Sequence, residues 1–318
     1  MAELLEADRE ATQGSVNAPP VARERSAAVQ LVMGVARAIL WAVGLLVLGV
    51  AVWEGYKALG RAFEDTVPIL GIKFPISTTD YSMPHSWDIA AAFMEPARRG
   101  QPATLLEFLA LQTWVTMREA LIGLVIGGLL GVALAGMFSL AAPIRRGLMP
   151  WMVVSQTIPL VALAPMIVIW GGQIGLPSWM AVSFISAYLA FFPVAINTLR
   201  GLQSPPMVQR EFMVSIAAGR VKTFRLLRFP AALPLFFTGL KLAATTSVVG
   251  AIVGELSAGT GAGIGRSILN FTYYYSNGPE KLYAAVLVAA VSGVLFVQII
   301  NAVERVALRH RVAEGRPS

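Results

Sequence analysis

The sequence predicts an all-α membrane protein with six transmembrane helices. Three observations lead there. The 318 residues are 56% hydrophobic and 14% charged, where soluble domains average about 25% charged. Apolar runs recur along the chain at lengths close to the ~20 residues that cross a bilayer. Lysine and arginine crowd into alternate connections between these runs, which is the asymmetry that orients membrane helices.

Residues 1–30 mix Glu3, Glu6, Asp8, Glu10 and Glu24 with Arg9, Arg23 and Arg25, and carry Gly14, Pro19 and Pro20. This reads as a disordered cytoplasmic tail. It lacks the basic start, apolar run and small-residue cleavage site of a signal peptide. Residues 31–53 read as the first span, with Arg37 snorkelling to the interface. Residues 54–118 carry mixed charges and are expected outside, since long loops escape the charge rule. Residues 119–308 then hold five further spans. The uncharged run 120–144 is the second. The uncharged run 147–199 is long enough for two, with the turn placed at 171–178 by Gly and Pro. Residues 231–254 carry a single charge, Lys241, and residues 282–303 carry none. Arg145 and Arg146, the basic loop 200–230, and Arg305, Arg309, Arg311 and Arg316 all fall on one side of this arrangement. Both termini, including the tail 309–318, are therefore expected in the cytoplasm. Six such runs with this loop asymmetry argue against buried helices of a large soluble core.

The composition also narrows the chemistry. There is no cysteine and there are two histidines, His85 and His310, so thiolate metal sites and Cys nucleophiles are excluded. No cofactor and no metal site is expected. The net charge of +7 fits basic residues held on the inner side of a membrane better than a nucleic-acid surface.

The stretch "ELSAGTGAGIGRS", residues 255–267, looks like a phosphate loop but fails the spacing. Counting back from Gly265, the first glycine of G-x-x-x-x-G-K-[ST] falls on Thr260, and Arg266 stands where the lysine belongs. The dinucleotide pattern G-x-G-x-x-G fails as well, its third glycine falling on Ile264 or Arg266. Gly259, Gly261, Gly263 and Gly265 instead suit a tight turn re-entering the outer leaflet. The following "NFTYYYSNG" reads as an interfacial aromatic belt, including Tyr273 to Tyr275.

Polar residues inside the runs are candidates for a translocation path. Gln156 and Thr157, with Pro159, interrupt the third span, and Thr245, Thr246 and Ser247 lie in the fifth. Such groups line cavities or hold neighbouring helices together. Glu255, at the outer end of the fifth span, reads either as a gate or contact for a substrate-binding protein or as a helix-end salt bridge to Arg266 or Lys281. Lys241 reads first as a snorkelling cation, and second as an attractor of anionic solute or a dimer contact.

The loop between spans four and five is the most specific feature. Residues 211–234 read "EFMVSIAAGRVKTFRLLRFPAALP". Ile216, Val221, Phe224, Leu227 and Phe229 are apolar within a basic surround, so a short helix here can offer an apolar face and an arginine rim to another protein. Pro230 and Pro234 are expected to break it and start the next span.

This stretch resembles the EAA loop of ATP-binding-cassette importer permeases. Glu211 takes the acidic position, and Phe224, Pro230 and Pro234 sit at the family's offsets. Ala217 stands where the family has glycine, with Gly219 two residues later, and Met213 replaces one alanine. The likeness extends to "WVTMREALIGLVIGGLLGVALAG", opened by Arg118, to "SQTIPLVALAPMIVIWGG" and to "GAIVGELSAGTGAGIG". It covers roughly residues 90–308 and is nearest the nitrate, sulfonate and taurine branch, with wording also similar to members for thiamine-pyrimidine precursors or riboflavin. The resemblance implies a type I ABC importer permease fold and a homodimer in the lipid membrane of a bacterial cell. It implies separate cytoplasmic ATPase subunits, so that this chain is not itself an enzyme, and an extracytoplasmic substrate-binding protein. It implies a coupling loop carried by Arg210, Glu211, Ala217, Ala218, Gly219, Phe224, Arg225, Pro230 and Pro234, while the residues themselves suggest a path that includes Gln156, Thr157, Thr245, Thr246 and Glu255.

Two rivals remain at this level. A membrane-embedded enzyme needs ionisable groups within spans. The runs hold no histidine, no cysteine and no evident pair of carboxylates. An ion-driven secondary transporter calls for broken helices in inverted repeats.

Overall fold

A computed structural model describes residues 20–63, 74–98, 100, 102–257 and 262–312. Among the described residues the chain is helical, its one β feature being an isolated antiparallel bridge between Pro96 and Thr104. Among the described residues, five helices are long and apolar enough to cross a membrane, or six if one bent pair counts as a span. The chain divides into two compact units, Met1–Ser86 and Trp87–Ser318.

In the first unit, α1 (Pro20–Ala62) differs from the expected tail and span at both ends. Residues 20–30 of the expected tail are helical, and residues 1–19 lie outside the described part. Among the described residues a membrane-length apolar stretch runs over Val43–Ala62, and the helix continues past residue 53 through the charges at which an uncharged-run criterion stops. Those charges, Glu54, Lys57 and Arg61, lie at i, i+3 and i+7 and so share one face. There they meet the segment that follows. Lys57 Nζ lies 2.7 Å from Asp80 Oδ1, and Arg61 also pairs with Asp80. Glu54 accepts from the Ser86 backbone N–H at 2.8 Å and adjoins His85 Nδ1 at 2.7 Å. The Lys57 ammonium, hydrogen-bonded to Asp80 and helped by Arg61 and His85, holds that carboxyl below the usual carboxylate range.

The second unit contains α2 (Ser86–Ala92), α3 (Leu105–Leu140), α4 (Ala142–Ser155), α5 (Leu160–Gln173), α6 (Ser178–Gln203), α7 (Met207–Ser215), α8 (Arg220–Thr223), α9 (Phe229–Ser257), α10 (Ile264–Tyr273) and α11 (Pro279–Val312). The second span starts at Leu105, well before residue 120. A capping box sets this start. Thr104 Oγ1 accepts the Glu107 N–H, and Glu107 Oε2 accepts the Thr104 N–H.

Helix α6 is packed between α3 and α9. Lipid supplies no hydrophobic drive between helices, so close backbone approach has to do the work. Glycines permit it on both sides. A Cβ on Gly127 would lie 2.6 Å from the Ala187 carbonyl, and one on Gly131 2.6 Å from the Phe191 carbonyl. Across the other face, a Cβ on Gly239 would lie 2.8 Å from the Pro193 carbonyl and one on Gly250 2.9 Å from Ser186 Cα. Three apolar clusters follow one another. The middle one joins Leu124, Val182, Val194, Val248 and Phe296. One joins Leu105, Leu109, Ile264 and Ala285. The third joins Phe138, Met152, Phe191, Leu199 and Ala232.

The expected third span is not one straight helix. Helices α4 and α5 are bent by 97° at a break between Ser155 and Leu160. Pro159 causes the break: it lacks an N–H, and it pushes the preceding residue out of the α region. The freed backbone finds other partners, the Tyr188 hydroxyl donating to the Ser155 carbonyl. The turn expected at 171–178 forms after Gln173, with Gly175 at φ 75°.

Candidate functional site

The loop between α6 and α9 folds as a short helix, a tight reversal and a second helix. Helix α7 closes in a Schellman motif. The Ala218 N–H donates to the Met213 carbonyl and the Ala217 N–H to the Val214 carbonyl, both at 2.9 Å. This requires a left-handed residue, and Ala217 supplies it at φ 50°. It is the one non-glycine residue with positive φ among the described residues. The reversal forms despite the alanine, with the associated backbone strain. Gly219 then caps α8 at an ordinary φ of −62°.

The prolines do not break the helix here. Residues Arg220–Ser257 run as one membrane-length helix of 38 residues. A π turn, Phe224–Arg228, joins α8 to α9, with the Phe229 N–H donating to the Phe224 carbonyl. Such a turn shifts the hydrogen-bond register by one residue and often marks functional sites. Pro230 and Pro234 lie just after it, inside the continuous helix.

The loop's apolar residues divide into two sets. Val208 is 75% exposed, Phe212 61% and Val214 76%, whereas Met213 is buried. Helix α7 therefore leaves an apolar surface uncovered by its own chain. Phe224, expected on the outward face, instead packs against the cluster of Phe138, Met152 and Phe191. It anchors the loop to the spans. Glu211 and Arg225 are exposed, and Arg210 Nε donates to the Pro205 carbonyl at 2.9 Å.

The polar residues expected along a path lie in two places. Gln156 and Thr157 sit at the 97° bend, Gln156 half-buried and Thr157 exposed. Thr245 is exposed on α9, bonded to the Lys241 carbonyl, and Thr246 reaches the Leu189 carbonyl on α6 at 3.2 Å. Ser247 is buried. Helix α5 packs on α9, so both sets belong to adjoining elements. Lys241 does not stand free: its ammonium pairs with Glu304 of α11 at 2.9 Å.

Glu255 is fully buried, at 0% exposure, and the salt bridges expected for it do not form. Lys281 donates to the Pro96 carbonyl instead. Glu255 Oε2 accepts the Gly265 N–H at 2.7 Å, Thr116 Oγ1 the Ile264 N–H at 2.8 Å, and Gln112 Oε1 the Gly263 N–H at 2.6 Å. Side chains of two spans thus satisfy the first amides of α10, where an acid also complements the helix dipole. Gly263, at φ 105°, makes the entry, and a Cβ there would overlap the Glu255 carboxyl. Gly259 and Gly261 lie outside the described residues.

A pair of carboxylates does occur within the spans, contrary to the sequence reading. Glu119 is buried beside Glu255, and their carboxyl groups adjoin. Sequence reasoning passed over Glu119, Gln112 and Thr116, because they fall before the uncharged run on which the second span was counted. Thr104 and Glu107 were the available signal that the helix begins earlier.

Comparison with known proteins matches this architecture. Residues 124–308 match the family described as binding-protein-dependent transport system inner membrane component. The chain is 34% identical over 193 residues to the formylaminopyrimidine transport permease protein of Halalkalibacterium halodurans, covering 60% of this chain and 73% of that one. It is 35% identical over 174 residues to a probable ABC transporter permease protein of Haemophilus influenzae, covering 55% and 69%. It is 32% identical over 166 residues to the riboflavin transport system permease protein of Chloroflexus aurantiacus, covering 52% and 59%. The secondary-transporter and membrane-enzyme readings give way to this match. The chain belongs to the binding-protein-dependent transport system inner membrane components, as a multi-pass permease subunit of an ATP-binding-cassette importer.

Proposed function

We propose that this permease carries a small, planar heteroaromatic solute inward, delivered by an extracytoplasmic binding protein and driven by separate cytoplasmic ATPase subunits. The solute class follows the names of two of the relatives above, one for formylaminopyrimidine and one for riboflavin. The observation that carries the mechanism is the continuous helix Arg220–Ser257. At 1.5 Å per residue it is roughly 55 Å long. The docking loop, Thr245 and Thr246, and Glu255 are all tied to this one rod. An ATPase that seats α7 through Val208, Phe212 and Val214, with Arg210, Glu211 and Arg225 at the rim, moves α9 as a body. Ala217, Ala218 and Gly219 form the reversal that holds α7 against the rod, Phe224 fixes the reversal to the spans, and Pro230 and Pro234 follow the π turn.

Two copies make the complete pathway in this reading. Thr157 and Thr245 are exposed on the single chain, and polar groups facing lipid are costly. A second copy covers them and turns them, with Gln156 and Thr246, toward a shared path. Glu255, enclosed within the chain, acts from behind that path by holding α10. The basic loops support an orientation with both termini in the cytoplasm.

The test is reconstitution with the ATPase and binding-protein subunits into vesicles. ATP-dependent uptake of formylaminopyrimidine or riboflavin is the expected result. Uptake confined to taurine, a sulfonate or nitrate replaces the heteroaromatic reading with the anion reading. Failure of any ATPase subunit to co-purify removes the coupling mechanism.

A further inference from the structure

Three arginines from three separate elements meet at one cavity of about 380 Å³. Arg145 lies on α4, Arg210 on α7 and Arg228 in the π turn, and Ser139, Leu202 and Gln203 complete the lining. Two of the guanidinium groups are held by neutral acceptors. Arg210 Nε donates to the Pro205 carbonyl at 2.9 Å, and Arg228 Nη1 to Ser139 Oγ at 3.3 Å. Among the described residues none of the three forms an ion pair. Glu211, adjacent to Arg210 in sequence, is not part of the lining.

Three like charges around one solvent-open space, with Arg210 exposed and Arg145 and Arg228 half-buried, favour the entry of an anion. The planar fork of arginine matches a phosphate oxygen pair, and several forks around one group select phosphate over a smaller anion. The hydroxyl of Ser139 and the amide of Gln203 offer further donors. The location agrees: Arg145 follows the end of the apolar α3, and Arg228 precedes the apolar α9. The cavity thus borders the ends of apolar helices on the side where basic residues concentrate, which fits a headgroup position.

We propose that this cavity binds a phosphate-bearing anion, supplied either as the headgroup of an acidic phospholipid or as free phosphate. Its occupant ties α7 to the α3–α4 corner and to the π turn, bracing the docking loop against the spans. The proposal does not depend on which solute is carried.

The experiment uses the full chain in lipid nanodiscs of phosphatidylcholine, with phosphatidylglycerol added in one arm and inorganic phosphate in another. Thermal unfolding and native mass spectrometry are the readouts. The expected result is a raised unfolding midpoint and a retained anion. Retention falls by about tenfold or more in Arg145→Gln and in Arg228→Gln, as charge-assisted bonds are lost. It is unchanged in Arg146→Gln, an exposed neighbour outside the lining. Stabilisation by phosphatidylglycerol alone identifies the lipid source, and stabilisation by phosphate in phosphatidylcholine the free ion. If a Gln variant fails to fold, Arg145→Lys and Arg228→Lys test the fork: weaker retention supports the site, and undiminished retention overturns it. No stabilisation of the wild type in either arm overturns the proposal. So does retention equal to wild type in the Gln variants. Bound ATPase shielding these arginines from modification, with no phosphate effect, also overturns it and assigns the cavity to a partner's carboxylate.

Discussion

The two ends of the long helix Arg220–Ser257 are finished in opposite ways. At one end, α7 closes by backbone bonds around a left-handed Ala217, and Val208, Phe212 and Val214 face outward. At the other, α10 is held by Gln112, Thr116 and Glu255, all from the spans themselves. The first end leaves apolar area uncovered by its own chain. The second end is closed within the chain, its first helix amides satisfied by buried side chains, while Glu255 Oε1 and Glu119 Oε2 are left without a hydrogen-bond partner among the described residues. In the proposed coupling, such a rod takes up motion at its open end and passes it to its closed end.

Substitutions at the closed end should have the largest effects. Gly263→Ala puts a Cβ onto the Glu255 carboxyl at φ 105°. It should destabilise the chain by about 3 kcal/mol or more, through overlap and backbone strain together, read as a lower unfolding midpoint in detergent. Glu255→Ala removes the acceptor of the Gly265 N–H and should cost about 2 kcal/mol. Glu255→Gln keeps an acceptor oxygen and should cost less than about 1 kcal/mol, since burying a charge offsets much of what it contributes. Equal losses in the two variants would mean that the carboxylate's charge, not its acceptor, holds α10.

At the open end the stability effects should be small and the partner effects large. Ala217→Gly relieves the left-handed strain and should stabilise the chain by about 0.5–1 kcal/mol. A loss of stability there would show that the reversal is not strained. Val208→Ala with Phe212→Ala should change stability by about 0.5 kcal/mol or less, as exposed sites do, yet reduce ATPase retention on co-purification by at least ~10-fold. Phe224→Ala is the contrast. Because Phe224 packs against Phe138 and Met152, it should lower both stability and retention. A variant set in which all three phenylalanine and valine changes behave alike would erase the distinction between docking surface and anchor.

Much of this was legible beforehand. The apolar runs, the basic loops and the turn before Ser178 follow from composition and from residues with strong local preferences. The 211–234 stretch carried the family likeness because its acid, phenylalanine and prolines stand at fixed offsets. The close approach made by the glycines of α3 came to light only with the structure. Element ends were harder to read. Helix α1 continues to Ala62 and α3 begins at Leu105, since charges paired on one face do not stop a helix. Only the later prolines misled. Pro159 bends its span by 97°, whereas Pro230 and Pro234 are absorbed beside a π turn.

By itself the sequence determined where the chain is apolar enough to enter a membrane and which connections stay outside it, because those depend on transfer of each segment from water to lipid. It also determined that a basic, partly apolar loop separates the fourth and fifth spans. Only the tertiary structure decided that Glu119 lies beside Glu255, that Lys241 pairs with Glu304, that Phe224 turns inward, and that Arg145, Arg210 and Arg228 share one cavity. Each of these joins residues from different elements. Such partnerships form when glycine-lined helices come close enough for side chains far apart in the chain to satisfy one another, and no local pattern records which ones will meet.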